Sequence, residues 1–202
     1  MVATDLSQIV ANLREFYDLV DKTVVSVGAG GGQLVEYART VRQVIAIDRD
    51  AAAIERLAAR ARDSGLADRF TLVTSDFLDT QPRGDVLFFE FCLHQMAEPE
   101  RALEHARRLA PDVVVLDHAP HSQWSWCAAE EAMVAAAWKA VGGKAVRRQK
   151  DVDAVQRFAN FAELDSRLSQ QGPESRGRIE KYRGQTAISK LMPYRLALLE
   201  AV

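Results

Sequence analysis

Residues 23–34 read TVVSVGAGGGQL, and this stretch decides the fold. Thr23 to Val27 is short and rich in β-branched residues, the composition of a buried strand. It runs straight into Gly28, Ala29, Gly30, Gly31 and Gly32, after which Leu34, Val35 and Ala38 resume helical spacing. The glycines therefore occupy a strand-to-helix turn. Backbone without Cβ atoms can adopt positive φ there and approach a ligand closely.

Outward from this turn the alternation repeats. Upstream, Leu6, Ile9, Val10, Leu13, Phe16, Tyr17 and Val20 predict an amphipathic helix from about Thr4 to Val20. Downstream, the apolar run Val44 to Ile47 ends at Asp48, and the alanine-rich segment Ala51 to Ala61 has high helix propensity. Phe70 to Val73, ending near Ser75 and Asp76, and Val86 to Phe89 read as strands. Pro99 to Leu109 reads as a helix, and Val113 to Leu116, ending at Asp117, as a strand. Continuous apolar strands separated by helices imply a parallel sheet covered on both faces, and right-handed crossovers make it a doubly wound α/β fold.

Beyond Asp117 the pattern changes. Two successive helices are predicted, about Trp124 to Val141 and about Val152 to Ser169, followed by a polar link over residues 170–175. Strands from about Tyr182 to Ser189 and Tyr194 to Glu200 then close the sheet, and so short a connection between them permits an antiparallel hairpin and excludes a helical crossover. The expected architecture is a mostly parallel seven-stranded sheet with helices on both faces. It forms one domain over residues 1–202, with residues 118–181 as a helical insertion or lid.

Composition narrows the function. With 48% hydrophobic and 27% charged residues among 202, the chain matches a globular domain and excludes disorder or a disulfide scaffold. Basic residues number 26 against 28 acidic, so the excess that drives sequence-independent phosphate binding is missing and a nucleic-acid partner is not expected. Cys92 and Cys127 lack the spacing of a zinc knuckle or redox pair. The amino terminus does not read as a signal peptide, and no apolar run approaches the roughly 18 residues of a membrane span. The expectation is a cytoplasmic protein without membrane contact. Its oligomeric state is open, a homodimer being one option.

Asp48 stands twenty residues after Gly28, at the tip of the next strand, where a carboxylate can accept hydrogen bonds from ribose hydroxyls. A dinucleotide fingerprint would need a third glycine at position 33, which is Gln33; the spacing is G-x-G-x-G, at Gly28, Gly30 and Gly32. A nicotinamide-dependent oxidoreductase is accordingly the weaker reading.

With these residues the sequence resembles the class I S-adenosylmethionine-dependent methyltransferases over nearly its whole length. The resemblance implies that VVSVGAGGGQL, with Gly28, Ala29, Gly30 and Gly32, lies under the amino-acid portion of the cofactor S-adenosyl-L-methionine. It implies that Asp48, with Arg49 beside it, binds the ribose, and that Asp76 and Phe77 in TLVTSDFLD hold the adenine. Glu90, in the fourth-strand segment at the mouth of the site, joins the cofactor set. The family's often acidic residue at the start of the glycine motif is Ser26 here, which puts one cofactor contact in doubt.

Methyl transfer requires alignment of the acceptor, exclusion of water and removal of a proton from a hydroxyl or ammonium acceptor. His94, His118 and His121 are the candidate bases, with Glu90 and Asp117 as possible orienting carboxylates. Phe91, His94, Asp117, Trp124 and Trp126 are the candidate acceptor contacts. Each also has a plainer reading: His94 as a loop cap packed on the cofactor, Phe91 as core, His118 and His121 as loop residues. Asp117, His118, His121 and His94 together offer metal-type ligands, but their spacing is no specific metal motif, and no metal is assigned. The acceptor segments of the nucleic-acid methyltransferases, an Asn/Asp-Pro-Pro-aromatic tetrad or a Pro-Cys pair, do not occur in FEFCLHQM. A small molecule methylated at oxygen or nitrogen is the expected acceptor. The alternative is a protein that keeps the cofactor fold without methyl transfer.

Overall fold

All five predicted parallel strands form: β1 (Thr23–Val27), β2 (Gln43–Asp48), β3 (Phe70–Thr74), β4 (Val86–Glu90) and β5 (Asp112–His118). They belong to a computed structural model that describes residues 6–30, 35–120, 122, 127–168 and 172–200. With β6 (Val146–Asn160) and β7 (Thr186–Glu200) they make one seven-stranded sheet in the order β3-β2-β1-β4-β5-β7-β6. β1 lies parallel between β2 and β4, and β7 runs antiparallel to both β5 and β6. The chain moves outward from β1 to one edge and then returns to its other side, which creates a topological switch point beside β1.

The apolar runs are buried on both sheet faces, as a covered parallel sheet demands: Val24, Val25, Val86, Leu87, Val113 and Val114 are inaccessible to solvent. One face is covered by α1 (Leu6–Phe16), whose Ile9, Leu13 and Phe16 point inward, and by α2 (Ala51–Asp63) through Leu57 and Ala61. The carboxylate of Asp50 caps α2 by accepting from Ala52 N–H at 2.9 Å. The other face carries α3 (Pro99–Leu109), with proline in its first turn, and α4 (Ala128–Gly142). α1 ends at Phe16, short of the expected Val20, because residue 21 turns the chain with a positive φ of 55°.

The main departure lies after β5. The expected helix from Val152 to Ser169 is strand as far as Asn160, and only α5 (Phe161–Leu168) is helical. The expected hairpin of residues 182–189 and 194–200 is one continuous strand, β7, and its antiparallel partner is β6. α5, α6 (Pro173–Ile179) and a short 3₁₀ turn connect the two. Pro193 does not break β7. β5 ends where His118 pairs with Tyr194, and the Pro193 carbonyl accepts from Ala119 N–H at 3.0 Å just beyond, so its missing N–H costs no ladder bond. Residues 118–181 are therefore not wholly helical. β6 and β7 continue past the carboxyl end of β5 as a two-stranded ribbon, with Ala154, Phe158, Ile188 and Met192 buried. α1 is tied to this ribbon's base by a buried bond from Asn12 Nδ2 to Tyr194 Oη, 2.7 Å.

Candidate active site

A cleft of about 320 Å³ opens at the carboxyl ends of β1 to β4. This is the switch-point position where open α/β sheets bind ligands. Its floor is the glycine turn. Gly28 has φ +67°, and a Cβ there would overlap Cβ and Sγ of Cys92 on the neighbouring strand exit. Only glycine fits that position. Gly30, also at positive φ, gives its N–H to Asp48 Oδ2 at 3.2 Å, which couples the turn to the acid on β2. The other Asp48 oxygen accepts from Asp50 N–H at 3.0 Å, so the carboxylate is aimed before any ligand arrives.

Beyond Asp48, Asp76 caps a short turn by accepting from Leu78 N–H at 2.9 Å. Phe77 within that turn is buried edge-on against Phe89 and against the His105 ring, whose Nε2 meets the Thr80 carbonyl at 2.8 Å. Gly28, Ala29, Gly30, Asp48 and Arg49 all line this one cleft, and so do Asp76, Phe77, Glu90 and Phe91.

Glu90 ends β4 inside the cleft wall. Its Oε1 accepts from Ser26 Oγ at 2.5 Å and from Tyr37 Oη at 2.9 Å. Burial pushes its carboxyl up to about 7, against the opposing pull of these two hydroxyls. A carboxyl thus stands beside Ser26, the position at the start of the glycine motif that lacks its own acid. The pairing was hidden in the sequence because 64 residues separate the partners.

Past Glu90, the chain passes from the cleft wall to a buried corner behind it. Phe91 leaves β4 at φ 52°, a conformation that costs a bulky residue energy, and its N–H reaches the Leu116 carbonyl at 2.7 Å. Its ring packs on His118 and Tyr194. Asp117, fully buried, meets His94 Nδ1 at 2.6 Å and accepts from the backbone N–H groups of His94 and His118 at 3.0 and 2.8 Å. Burial opposes the charged form of His94, but Asp117 outweighs it and holds the imidazole above its ordinary value. Burial instead lowers His118 to about 4. His118 Nδ1 has no hydrogen-bond partner among the described residues. Its carbonyl accepts from Trp138 Nε1 at 2.6 Å, which locks α4 onto the end of β5.

His94, Asp117 and His118 therefore form one buried corner that does not itself line the cleft. Gly32, His121, Trp124 and Trp126 lie outside the described residues. Sequence reading missed Ser75, Gln95, Met96 and Glu98, which complete the cleft rim. Their only signal was position, just after β3 and β4. Burial raises the Cys92 thiol well above its usual value, so it stays neutral and donates to the Val27 carbonyl.

Such a fold, with a glycine turn, an acid at the tip of β2 and a ligand-sized switch-point cleft, defines a nucleotide-type cofactor domain. Residues 25–115 match the model of a methyltransferase-domain family. No curated protein matches the chain. Among solved structures, a candidate methyltransferase of Bacillus halodurans superposes with TM-score 0.66 at 15% identity, covering 96% of this chain and 98% of that one. A SAM-dependent methyltransferase of Aquifex aeolicus gives 0.58 at 23% identity over 73% and 84% of the two chains. Magnesium protoporphyrin IX methyltransferase of Synechocystis, with SAM bound, gives 0.58 at 13% identity over 98% and 78%. At these identities the likeness is one of fold. The fold is that of the class I, Rossmann-like methyltransferases, residues 25–115 match their methyltransferase domain, and S-adenosylmethionine is the cofactor of that class. Among the described residues, no helix is long and apolar enough to cross a membrane.

Proposed function

We propose that this protein transfers the methyl group of S-adenosylmethionine to oxygen or nitrogen of a small molecule in the cytoplasm. The observation that carries the reading is the meeting of the glycine turn, Asp48, Asp76 with Phe77, and Glu90 around one cleft. Bound there, the cofactor supplies a methyl group on a sulfonium, already a strong electrophile. Gly28, Ala29 and Gly30, with Gly32, admit its amino-acid portion at backbone distance. Asp48 and the neighbouring Arg49 take the ribose. Asp76 accepts from the adenine amino group, and Phe77 offers its ring. Glu90 pairs with the ammonium, replacing from β4 the acid that the glycine motif lacks at Ser26.

The acceptor would enter from the Phe91 side. Asp117 fixes His94 through Nδ1, which leaves Nε2 as the nitrogen able to take a proton or a ligand. His94, His118 and His121 are the proposed proton-handling residues, and Phe91, Trp124 and Trp126 the proposed acceptor wall, with Asp117 behind it orienting His94. Residues 118–181, with the ribbon and α4, would form the lid that excludes water. The confined cleft and the formal net charge of −2 favour a metabolite over a nucleic acid. Incubation with methyl-labelled S-adenosylmethionine and fractionated metabolite extract tests this directly. Label should enter a small-molecule fraction; cofactor binding without label transfer to any fraction would favour a cofactor-binding protein instead.

A further inference from the structure

The buried corner behind the cleft contains more than a histidine dyad. One ring nitrogen each of His94 and His118 and a carboxylate oxygen of Glu130 come within 4.8 Å of one another. The three side chains come from three separate elements: the turn after β4, the end of β5 and the first turn of α4. His118 is 2% exposed, and its Nδ1 lacks a hydrogen-bond partner among the described residues. A buried polar nitrogen left unpaired costs about 1–3 kcal/mol, so its persistence calls for a ligand.

We infer that His94, His118 and Glu130 hold a divalent transition-metal ion, with Zn²⁺ the best chemical match. Two imidazole nitrogens and one carboxylate suit a borderline ion and not the oxygen-only shells of Mg²⁺ or Ca²⁺. A tetrahedral ion with bonds of about 2.1 Å places its ligands roughly 3.4 Å apart, so these donors need to draw in by at most about 1.4 Å, a side-chain rotation. Asp117 completes the pattern. Its contact with His94 Nδ1 fixes the tautomer, as the carboxylate behind a metal-bound histidine does, and leaves Nε2 for the ion. Three protein ligands leave a coordination position open. If the methyl-transfer reading holds, that position would take an acceptor oxygen and lower its pKa, a role otherwise left to free imidazole.

Calorimetric titration of metal-stripped protein with Zn²⁺ tests the site without any turnover. One equivalent should bind, Asp117→Asn should weaken it by about 10–100-fold, and His118→Ala and Glu130→Gln should abolish it. S-adenosylhomocysteine binding by Glu130→Gln, expected to match the wild type, reports that this variant is folded. No Zn²⁺ uptake by the wild type, or uptake that His118→Ala and Glu130→Gln both retain, would overturn the site. Co²⁺ gives a second readout on the unaltered chain: the intense visible bands of a four-coordinate ion are expected, and the pale spectrum of the aqueous ion would contradict the proposal. Zn²⁺ binding without S-adenosylhomocysteine binding would refute the methyl-transfer reading alone, and the reverse result would refute the metal site alone.

Discussion

The half of the chain up to β5 and the half after it are held together by different kinds of information. In the first, each strand ends within a few residues of the side chain it presents: β1 at Gly28, β2 at Asp48, β3 at Asp76, β4 at Glu90. In the second, β6 and β7 are joined through a register in which Asn160 faces Thr186 and Val146 faces Leu199, bridging an intervening pair of helices. Local signals thus build the cleft, and long-range pairing builds its flank.

The largest expected effect separates the halves. Phe158→Ala on the ribbon removes a ring that is 2% exposed and should cost about 3–5 kcal/mol of stability in denaturant unfolding. S-adenosylhomocysteine affinity of the folded variant should be unchanged. A negligible stability loss would mean that residue 158 does not sit on the inner face of a strand.

Gly28→Ala probes the other half. Overlap with Cys92 should cost about 1–3 kcal/mol, as overpacking does, in addition to the strain of positive φ, and cofactor binding should be lost. A stable variant that still binds would remove the glycine turn from the cleft floor. Asp48→Ala should leave the fold intact and weaken S-adenosylhomocysteine by about 1–3 kcal/mol in calorimetry, the cost of unmaking hydrogen bonds to a charged group. Equal affinity would reject Asp48 as the ribose ligand.

The smallest effect is a pH dependence. Glu90, held near 7, should be protonated below that value and unable to pair with an ammonium, so affinity should weaken by no more than about tenfold per pH unit as pH falls through 7. Glu90→Gln should flatten the profile. Stability runs in the opposite sense. The folded carboxyl titrates above its ordinary value of 4.5, so its contribution is present below 4.5 and lost as pH rises through 7. Thermal melts at pH 8 should accordingly favour Glu90→Gln over the wild type. Parallel profiles for the two proteins would contradict the assignment of Glu90.

Why one half was legible and the other was not follows from particular residues. Val44 to Asp48 is read correctly because an apolar run and its terminal acid are adjacent. In β6, Val152, Val155 and Phe158 recur every three residues, in step with Phe161 of α5, and imitate a helix, while the true alternation includes Gln156, which is fully buried, so the period of two is disguised. β7 hides its alternation in the same way through Lys190, only 8% exposed, and Pro193 looks like a break unless the end of β5 beside it is known. In the candidate site, His94 and Asp117 could be flagged singly, but their 2.6 Å contact spans 23 residues. Glu130 gave no signal at all, because an acid in the first turn of a helix is commonplace.

The central claim is that the cleft between Gly28, Asp48, Phe77 and Glu90 takes S-adenosylmethionine. Calorimetric titration of the wild-type protein with S-adenosylhomocysteine tests it most directly. Saturable binding of one molecule per chain is expected, strongly reduced in Asp48→Ala. Absence of binding at hundreds of micromolar ligand would contradict it.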